Sequence, residues 1–124
     1  MALYEKAFGA ETPVKLRYSD ADPRDWDKPM TEAQKRLIYH AEMRIGDQRL
    51  FLSDILEFNL AKGTAVFLTV TFEAAEGVKK AYEVLKEGST TIYPLTATTY
   101  SACLVSFIDK FGVRWGLLTE QPDR

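Results

Sequence analysis

The chain has 124 residues, 46% of them hydrophobic and 27% charged, which is enough for one globular domain whose core needs no disulfide or metal. Its formal charge of −2, without any basic stripe, argues against a nucleic-acid partner, because phosphate binding depends on clustered Lys and Arg. The chain has a single cysteine, Cys103, no charged-then-apolar leader and no apolar run of the ~20 residues that a membrane helix needs, so we expect a cytoplasmic protein that contacts no membrane.

The first third of the chain alternates short elements with a long loop. Residues 2–8 place apolar side chains on one side of a short helix, and Gly9 follows as its stop. Residues 12–18 alternate apolar and polar side chains, as a half-buried strand does. Residues 20–30, which include two prolines, are typical of a loop, and Thr31 is placed to cap a single helical turn.

The next predicted strand, Leu37 to Ile45, has two faces of different character. Its odd-numbered residues are all apolar and are expected to lie beneath a helix, whereas His40 and Glu42 belong to the face that lines the hollow of the sheet. Two residues apart on one strand, they lie ~6.6 Å apart and point the same way. The pair can hold a ligand or act as acid and base near neutral pH. The alternative is that His40 packs and hydrogen-bonds a neighbour, while Glu42 and Arg44 are solvated or pair with each other.

A turn at Gly46 and Asp47 leads into a returning strand, residues 49–54, and the second half of the chain then repeats the plan. It contains a strand, a helix whose apolar side chains are three and four apart, a glycine stop at Gly88 and three further strands. The predicted bounds are 64–72 for the first strand, 73–87 for the helix, and 90–95, 100–109 and 113–119 for the last three strands.

Three stretches of the sequence carry a family resemblance. They are His40-Ala41-Glu42 with Leu52-Ser53-Asp54 downstream, then Leu85-Lys86-Glu87-Gly88, and finally Asp109-Lys110-Phe111-Gly112-Val113-Arg114-Trp115. In this order and spacing they resemble the glyoxalase/bleomycin-resistance group of the vicinal oxygen chelate superfamily, in its PhnB-like branch.

The resemblance implies an α+β fold in which paired βαβββ modules form a cupped mixed sheet, all within a single domain of residues 1–124. Module one would be residues 1–54, the connector residues 55–62 and module two residues 63–124. Module one lacks the family's leading strand. Either the chain is naturally short, or it starts downstream of its true start, or a partner chain supplies the strand.

The superfamily's usual chemistry uses a divalent metal held by His and Glu on four strands. The first ligand would lie on the missing strand, and alignment with the family places Phe51, Ala65 and Gly116 at the other three positions. None of these side chains can ligate a metal, so we expect neither a metal nor another cofactor.

The leading hypothesis is a metal-independent protein that binds or sequesters a small molecule and has no catalytic residue. Its cup would be lined by His40, Glu42, Phe51, Phe67 and Tyr100. The Tyr100 hydroxyl could orient a ligand, or the ring could simply pack. Two other functions stay open: a metal-dependent enzyme, glyoxalase-like or dioxygenase-like, whose site aligns differently, and a dimeric interaction module without a ligand. Because related proteins commonly dimerise with adjoining sheets, we also expect a homodimer that covers the edge left by the missing strand.

Overall fold

The computed structural model describes residues 1–56, 61 and 63–120, so most of the predicted connector lies outside the described residues. They form two compact units, which divide between residues 60 and 61 and which we call the N-terminal and the C-terminal unit. The N-terminal unit contains α1 (Ala2–Phe8), β1 (Glu11–Arg17), a 3-10 turn (Tyr18–Asp20), α2 (Glu32–Lys35), β2 (Ile38–Ile45) and β3 (Gln48–Leu52). The C-terminal unit contains β4 (Leu68–Phe72), α3 (Ala75–Leu85), β5 (Thr90–Thr96), β6 (Leu104–Ile108) and β7 (Arg114–Thr119).

The N-terminal unit is built on an antiparallel sheet in the order β1-β2-β3. Gly46, with a φ of 60°, supplies the left-handed backbone of the two-residue turn between β2 and β3, as the sequence predicts. The apolar face of β2 forms the core, where Ala41 and Met43 are fully buried. Within the described residues, β3 is paired on one side only, with β2.

Local capping residues determine where α1 ends and where α2 begins. The helix α1 ends before Gly9, whose φ of 64° is left-handed. The helix α2 begins after Thr31, whose hydroxyl accepts a 3.1 Å hydrogen bond from the Gln34 backbone N–H, while the Gln34 side chain accepts a 2.9 Å bond from the Thr31 N–H. Both predictions are confirmed, because such caps depend only on residues a few positions apart.

The C-terminal unit follows the βαβββ plan, with its sheet in the order β4-β7-β6-β5. The strands β4 and β7 are parallel, and the other two pairs are antiparallel. The helix α3 buries Val78, Ala81 and Leu85, the side predicted from their spacing of three and four. Its Tyr82 ring lies 5.1 Å from that of Phe107 on β6, so α3 packs on one face of the sheet. The predicted α+β class is confirmed, and so is the βαβββ order of elements in this unit.

Asp109 organises the turn between β6 and β7. Its carboxylate accepts hydrogen bonds from other residues of the D-K-F-G-V-R-W stretch. Its Oδ1 accepts hydrogen bonds from the backbone N–H groups of Phe111 (2.9 Å) and Val113 (3.0 Å). Its Oδ2 accepts a 2.9 Å bond from the indole Nε1–H of Trp115, which is buried. One carboxylate therefore holds both the turn and the first core residue after it.

The predicted starts of β4 and β6 and both predicted ends of α3 are wrong. The strand β4 begins at Leu68 rather than Thr64, because its ladder partner β7 begins at Arg114 and offers no pairing for earlier residues. The strand β6 begins at Leu104 rather than Tyr100, because the buried Ser101 hydroxyl accepts from the Cys103 and Thr119 N–H groups and holds a loop instead. The helix α3 runs over 75–85 rather than 73–87, and Gly88, with a φ of 73°, belongs to the turn that follows it.

Candidate functional site

The N-terminal unit presents a small polar cluster on the face of β2 opposite its core. His40 and Glu42 point the same way, and the His40 Nε2 lies 2.9 Å from the Glu42 Oε2. At this distance an imidazole tautomer with its hydrogen on Nε2 can donate a hydrogen bond to the carboxylate. The Phe51 ring on β3 lies edge-on to the imidazole at 5.0 Å between ring centroids.

Arg49 completes this group, which we call the His40 cluster: His40, Glu42, Arg49 and Phe51. The Arg49 guanidinium lies 5.2 Å from the centroid of the Phe51 ring, and its Nη1 lies 3.4 Å from the Glu42 Oε1. Arg44 pairs instead with Glu11 on β1, at 3.0 Å. The alternative in which Glu42 and Arg44 pair with each other is therefore wrong, because cross-strand neighbours on β1 and β3 take their place.

The C-terminal unit contains a cavity of about 280 Å³ on the face of the sheet opposite α3. Alternate residues of its strands form the walls, since every second side chain of a strand points to the same face. The lining residues are Phe67, Thr69, Tyr93, Tyr100, Leu104, Ser106, Arg114, Gly116 and Leu118. The neighbouring residues Phe107, Trp115 and Leu117 are buried in the core. A volume just below the usual ~300–1,000 Å³ of ligand pockets suits a small organic molecule.

Phe67 and Gly116 shape this cavity together. A Cβ added at Gly116 would meet the Phe67 ring carbons at 3.2 and 3.3 Å, which is tighter than ordinary van der Waals contact. The absence of a side chain at Gly116 thus lets the ring lie against the β7 backbone. The other neighbour of the ring is Arg114, whose guanidinium carbon is 4.4 Å from the ring centroid.

Arg114 is the one charged residue among the described residues that line the cavity. Its Nη1 donates a hydrogen bond to the Thr64 carbonyl oxygen, but its Nε–H is buried without a partner in the described part of the chain. It forms no ion pair with any described residue. Leaving a buried donor unpaired costs about 1–3 kcal/mol. The Arg114 guanidinium is therefore available to bind a hydrogen-bond acceptor on a ligand.

Solved structures with the same fold were found by structural comparison. A protein from Pseudomonas aeruginosa superposes with a TM-score of 0.80 at 23% identity, over 97% of this chain and 86% of its own. A PhnB protein from Bacillus cereus, provisionally described as a 3-demethylubiquinone-9 3-methyltransferase, superposes with a TM-score of 0.77 at 24% identity, over 96% and 87%. A glyoxalase/bleomycin-resistance/dioxygenase domain from Frankia superposes with a TM-score of 0.63 at 14% identity, over 99% and 82%.

The fold is that of the glyoxalase/bleomycin-resistance proteins. The resemblance inferred from the sequence is thus confirmed for the fold. At these identities the likeness establishes no activity. No protein-family model and no curated protein matches the chain by sequence. No helix in the described residues is long and apolar enough to cross a membrane.

The metal usual for the glyoxalase/bleomycin-resistance fold does not fit the side chains present. Among the residues that the structure describes, no three His, Cys, Asp or Glu come together as a group that could hold an ion. Phe51 on β3 and Gly116 on β7 offer no ligand, and Ala65 precedes β4. The lining of the cavity supplies hydroxyl oxygens but no imidazole, thiolate or carboxylate. The described residues at these positions therefore do not form the metal site that is usual for this fold.

The structure divides the five predicted site residues between the two units. His40, Glu42 and Phe51 are neighbours in the His40 cluster, and Phe67 and Tyr100 line the cavity. A single cup lined by all five stays a prediction. Arg114 was not among the residues predicted from the sequence, although one signal pointed to it. It lies two residues before Gly116, hence on the same face of β7 as the position that aligns with a metal ligand of the family.

Proposed function

We propose that this protein binds a small organic molecule in the cavity of its C-terminal unit, without a resident metal and in the cytoplasm. The observation that carries the proposal is the composition of the walls, in which five aromatic or aliphatic side chains accompany a few polar groups. Those five residues are Phe67, Tyr93, Tyr100, Leu104 and Leu118. Ligand pockets combine apolar walls with a few placed polar groups in this way.

The same walls favour binding over catalysis. The cavity has no acidic, imidazole or thiol side chain among its lining residues. Its buried serine, Ser106, donates its hydroxyl hydrogen to the Trp115 carbonyl oxygen at 3.1 Å rather than to a base. A serine without a neighbouring base is a weak nucleophile, so Ser106 is expected to shape the site.

A pair of matched variants tests the proposal. Thr69→Trp adds a large side chain to a cavity wall, whereas Thr71→Trp adds it two residues further along the same strand and face, outside the lining. A panel of small organic molecules of different charge is screened by ligand-observed NMR and by thermal shift. We expect hits that Thr69→Trp abolishes and Thr71→Trp retains. Hits that survive both variants equally, or no hits at all, would contradict binding in this cavity.

The second candidate function is an enzyme, and the observation that favours it is the half-exposed His40–Glu42 pair. A carboxylate that fixes the tautomer of an imidazole is a common general acid–base arrangement. Because His40 is not among the residues that line the cavity, binding there should survive His40→Ala with nearly unchanged affinity and melting temperature. Turnover that His40→Ala and Glu42→Gln both abolish in correctly folded protein would favour the enzyme instead.

We also propose that the protein forms a homodimer. The strand β3 is paired on one side only within the described residues, whereas its counterpart β7 is paired on both sides. An open strand edge favours pairing with another chain. Sedimentation equilibrium is expected to give twice the chain mass of 14.1 kDa, and a monomer at micromolar concentration would contradict the proposal.

A further inference from the structure

Arg114 points to the chemical class of ligand that the cavity takes, an inference that rests on the proposed function. The residue begins β7, on the face of the sheet that carries Gly116 and Leu118, which also line the cavity. Its guanidinium is held in place on two sides, by the Phe67 ring at 4.4 Å and by the hydrogen bond to the Thr64 carbonyl oxygen. A planar cation fixed in this way loses little further freedom when it binds an anion.

Arg114 has no ion pair, a state that it shares with Arg17 and Arg36 in the described part of the chain, but neither of those two lines the cavity. Arg24, Arg44 and Arg49 each have a carboxylate within 4 Å, on Asp22, Glu11 and Glu42 respectively. Arg114 has no such partner among the described residues, and its Nε–H is one of two buried side-chain donors there that lack an acceptor. The other, on Trp26, is in the N-terminal unit. Because Arg114 lines the cavity, the part of its guanidinium other than the buried Nε–H is what a ligand there can reach.

The remaining walls limit what the anion can be attached to. Aromatic and aliphatic side chains dominate the lining, and no acidic side chain is present to attract a cation. Arg114 is also the single cationic residue in the lining, whereas a doubly charged phosphate is usually bound by several cations or backbone N–H groups. One guanidinium matches one carboxylate.

We propose that the cavity binds a small monocarboxylate with an aromatic or branched aliphatic body, and that its carboxylate accepts a hydrogen bond from the Arg114 guanidinium. The volume of about 280 Å³ limits the body to roughly one ring or a short branched chain. Phe67 and Tyr100 contact this body, and Arg114 selects for the charged end.

The test compares phenylacetate with its neutral isostere, phenylacetamide, by isothermal titration calorimetry, with phenethylamine and inorganic phosphate as further probes. Because the guanidinium attracts a full negative charge more strongly than the dipole of an amide carbonyl, we expect phenylacetate to bind about tenfold more tightly than the amide. Arg114→Met keeps the apolar stem and removes the charge, so it should abolish this preference by weakening phenylacetate more than the amide. Arg24→Met removes an arginine charge elsewhere and should leave the preference intact.

The outcomes separate this inference from the proposed function. Equal affinity for the carboxylate and the amide, a preference retained in Arg114→Met, or binding of phosphate alone overturns the carboxylate assignment. If neutral or cationic compounds bind, carboxylates do not, and Thr69→Trp abolishes that binding, the cavity still binds ligands and only the assignment fails. If no compound of any charge binds, both proposals fail. Circular dichroism of Arg114→Met confirms that the variant is folded, and Arg114→Lys, which keeps the charge, should restore part of the preference.

Discussion

Replacing Asp109 should strongly destabilise the C-terminal unit. The side chain is 3% exposed and accepts three hydrogen bonds, two from backbone N–H groups in the turn and one from Trp115. Asp109→Ala leaves the buried indole N–H without an acceptor, at about 1–3 kcal/mol, and removes two bonds worth about 0.5–1.5 kcal/mol each. We expect a loss of about 3–5 kcal/mol in the free energy of unfolding.

Substitutions of graded severity separate the contribution of the Asp109 Oδ1, which binds the turn, from that of Oδ2, which binds Trp115. Asp109→Asn keeps one carbonyl oxygen for the turn but turns an amide NH₂ group toward the Trp115 N–H, so it should cost about half as much as alanine. In a Trp115→Phe background no N–H faces the amide, and the cost of Asp109→Asn should fall by about 1 kcal/mol. Asp47→Asn, in the exposed turn between β2 and β3, is the matched control and should stay within about 0.5 kcal/mol of the parent.

Urea denaturation followed by far-UV circular dichroism measures these free energies without relying on tryptophan fluorescence. A decrease in the denaturation midpoint at constant m-value identifies a change in stability. If Asp109→Ala costs no more than the Asp47→Asn control, the carboxylate does not hold the turn. If Asp109→Asn costs the same in both backgrounds, its effect does not come from the contact with Trp115.

Three further predictions concern the caps, a glycine and metal binding. Thr31→Ala should cost about 1 kcal/mol in urea denaturation, because it removes the acceptor that caps α2, and an unchanged midpoint would contradict the cap. Gly88→Ala should cost more than Gly9→Ala: both positions have positive φ, but at Gly88 the new Cβ would lie 3.0 Å from the Lys110 Cβ, whereas at Gly9 it meets open space. Mn²⁺, Ni²⁺, Zn²⁺ and Fe²⁺ should leave the melting temperature unchanged, since a metal that binds only the folded state must raise it; a saturable rise would revive the metal-dependent enzyme.

Local signals in the sequence were enough to predict most elements of this fold. The stops at Gly9 and Gly46, the cap at Thr31 and the buried side of α3 each depend on residues within about four positions of one another, and each was confirmed. The start of β4 was wrong because it depends on where its parallel partner begins, and the start of β6 was wrong because the Ser101 hydroxyl holds a loop there through a bond from Thr119. The partner of β4 is distant in sequence, since Leu68 of β4 pairs with Trp115 of β7.

In the candidate sites, too, contacts within one strand were predictable from the sequence, whereas contacts between distant strands were not. The two-residue period of a strand places His40 and Glu42 on one face, so their proximity was predictable, and the structure adds Arg49 and Phe51 from the neighbouring strand. Arg114 was recognised only as part of a turn motif. Its contact with Thr64 spans 50 positions and its position beside the cavity depends on the parallel pairing of β4 with β7.

The sequence by itself determined the α+β class, the order of the elements and the absence of metal ligands at the aligned positions, because these follow from short-range periodicity and residue identity. Only the tertiary structure decided that Phe67 packs on Gly116, that Arg114 stacks on Phe67, and that this cation lacks a carboxylate partner among the described residues. The physical reason is that a cavity is made by side chains from strands far apart in the chain, and the charge balance of its walls exists only once those strands are paired.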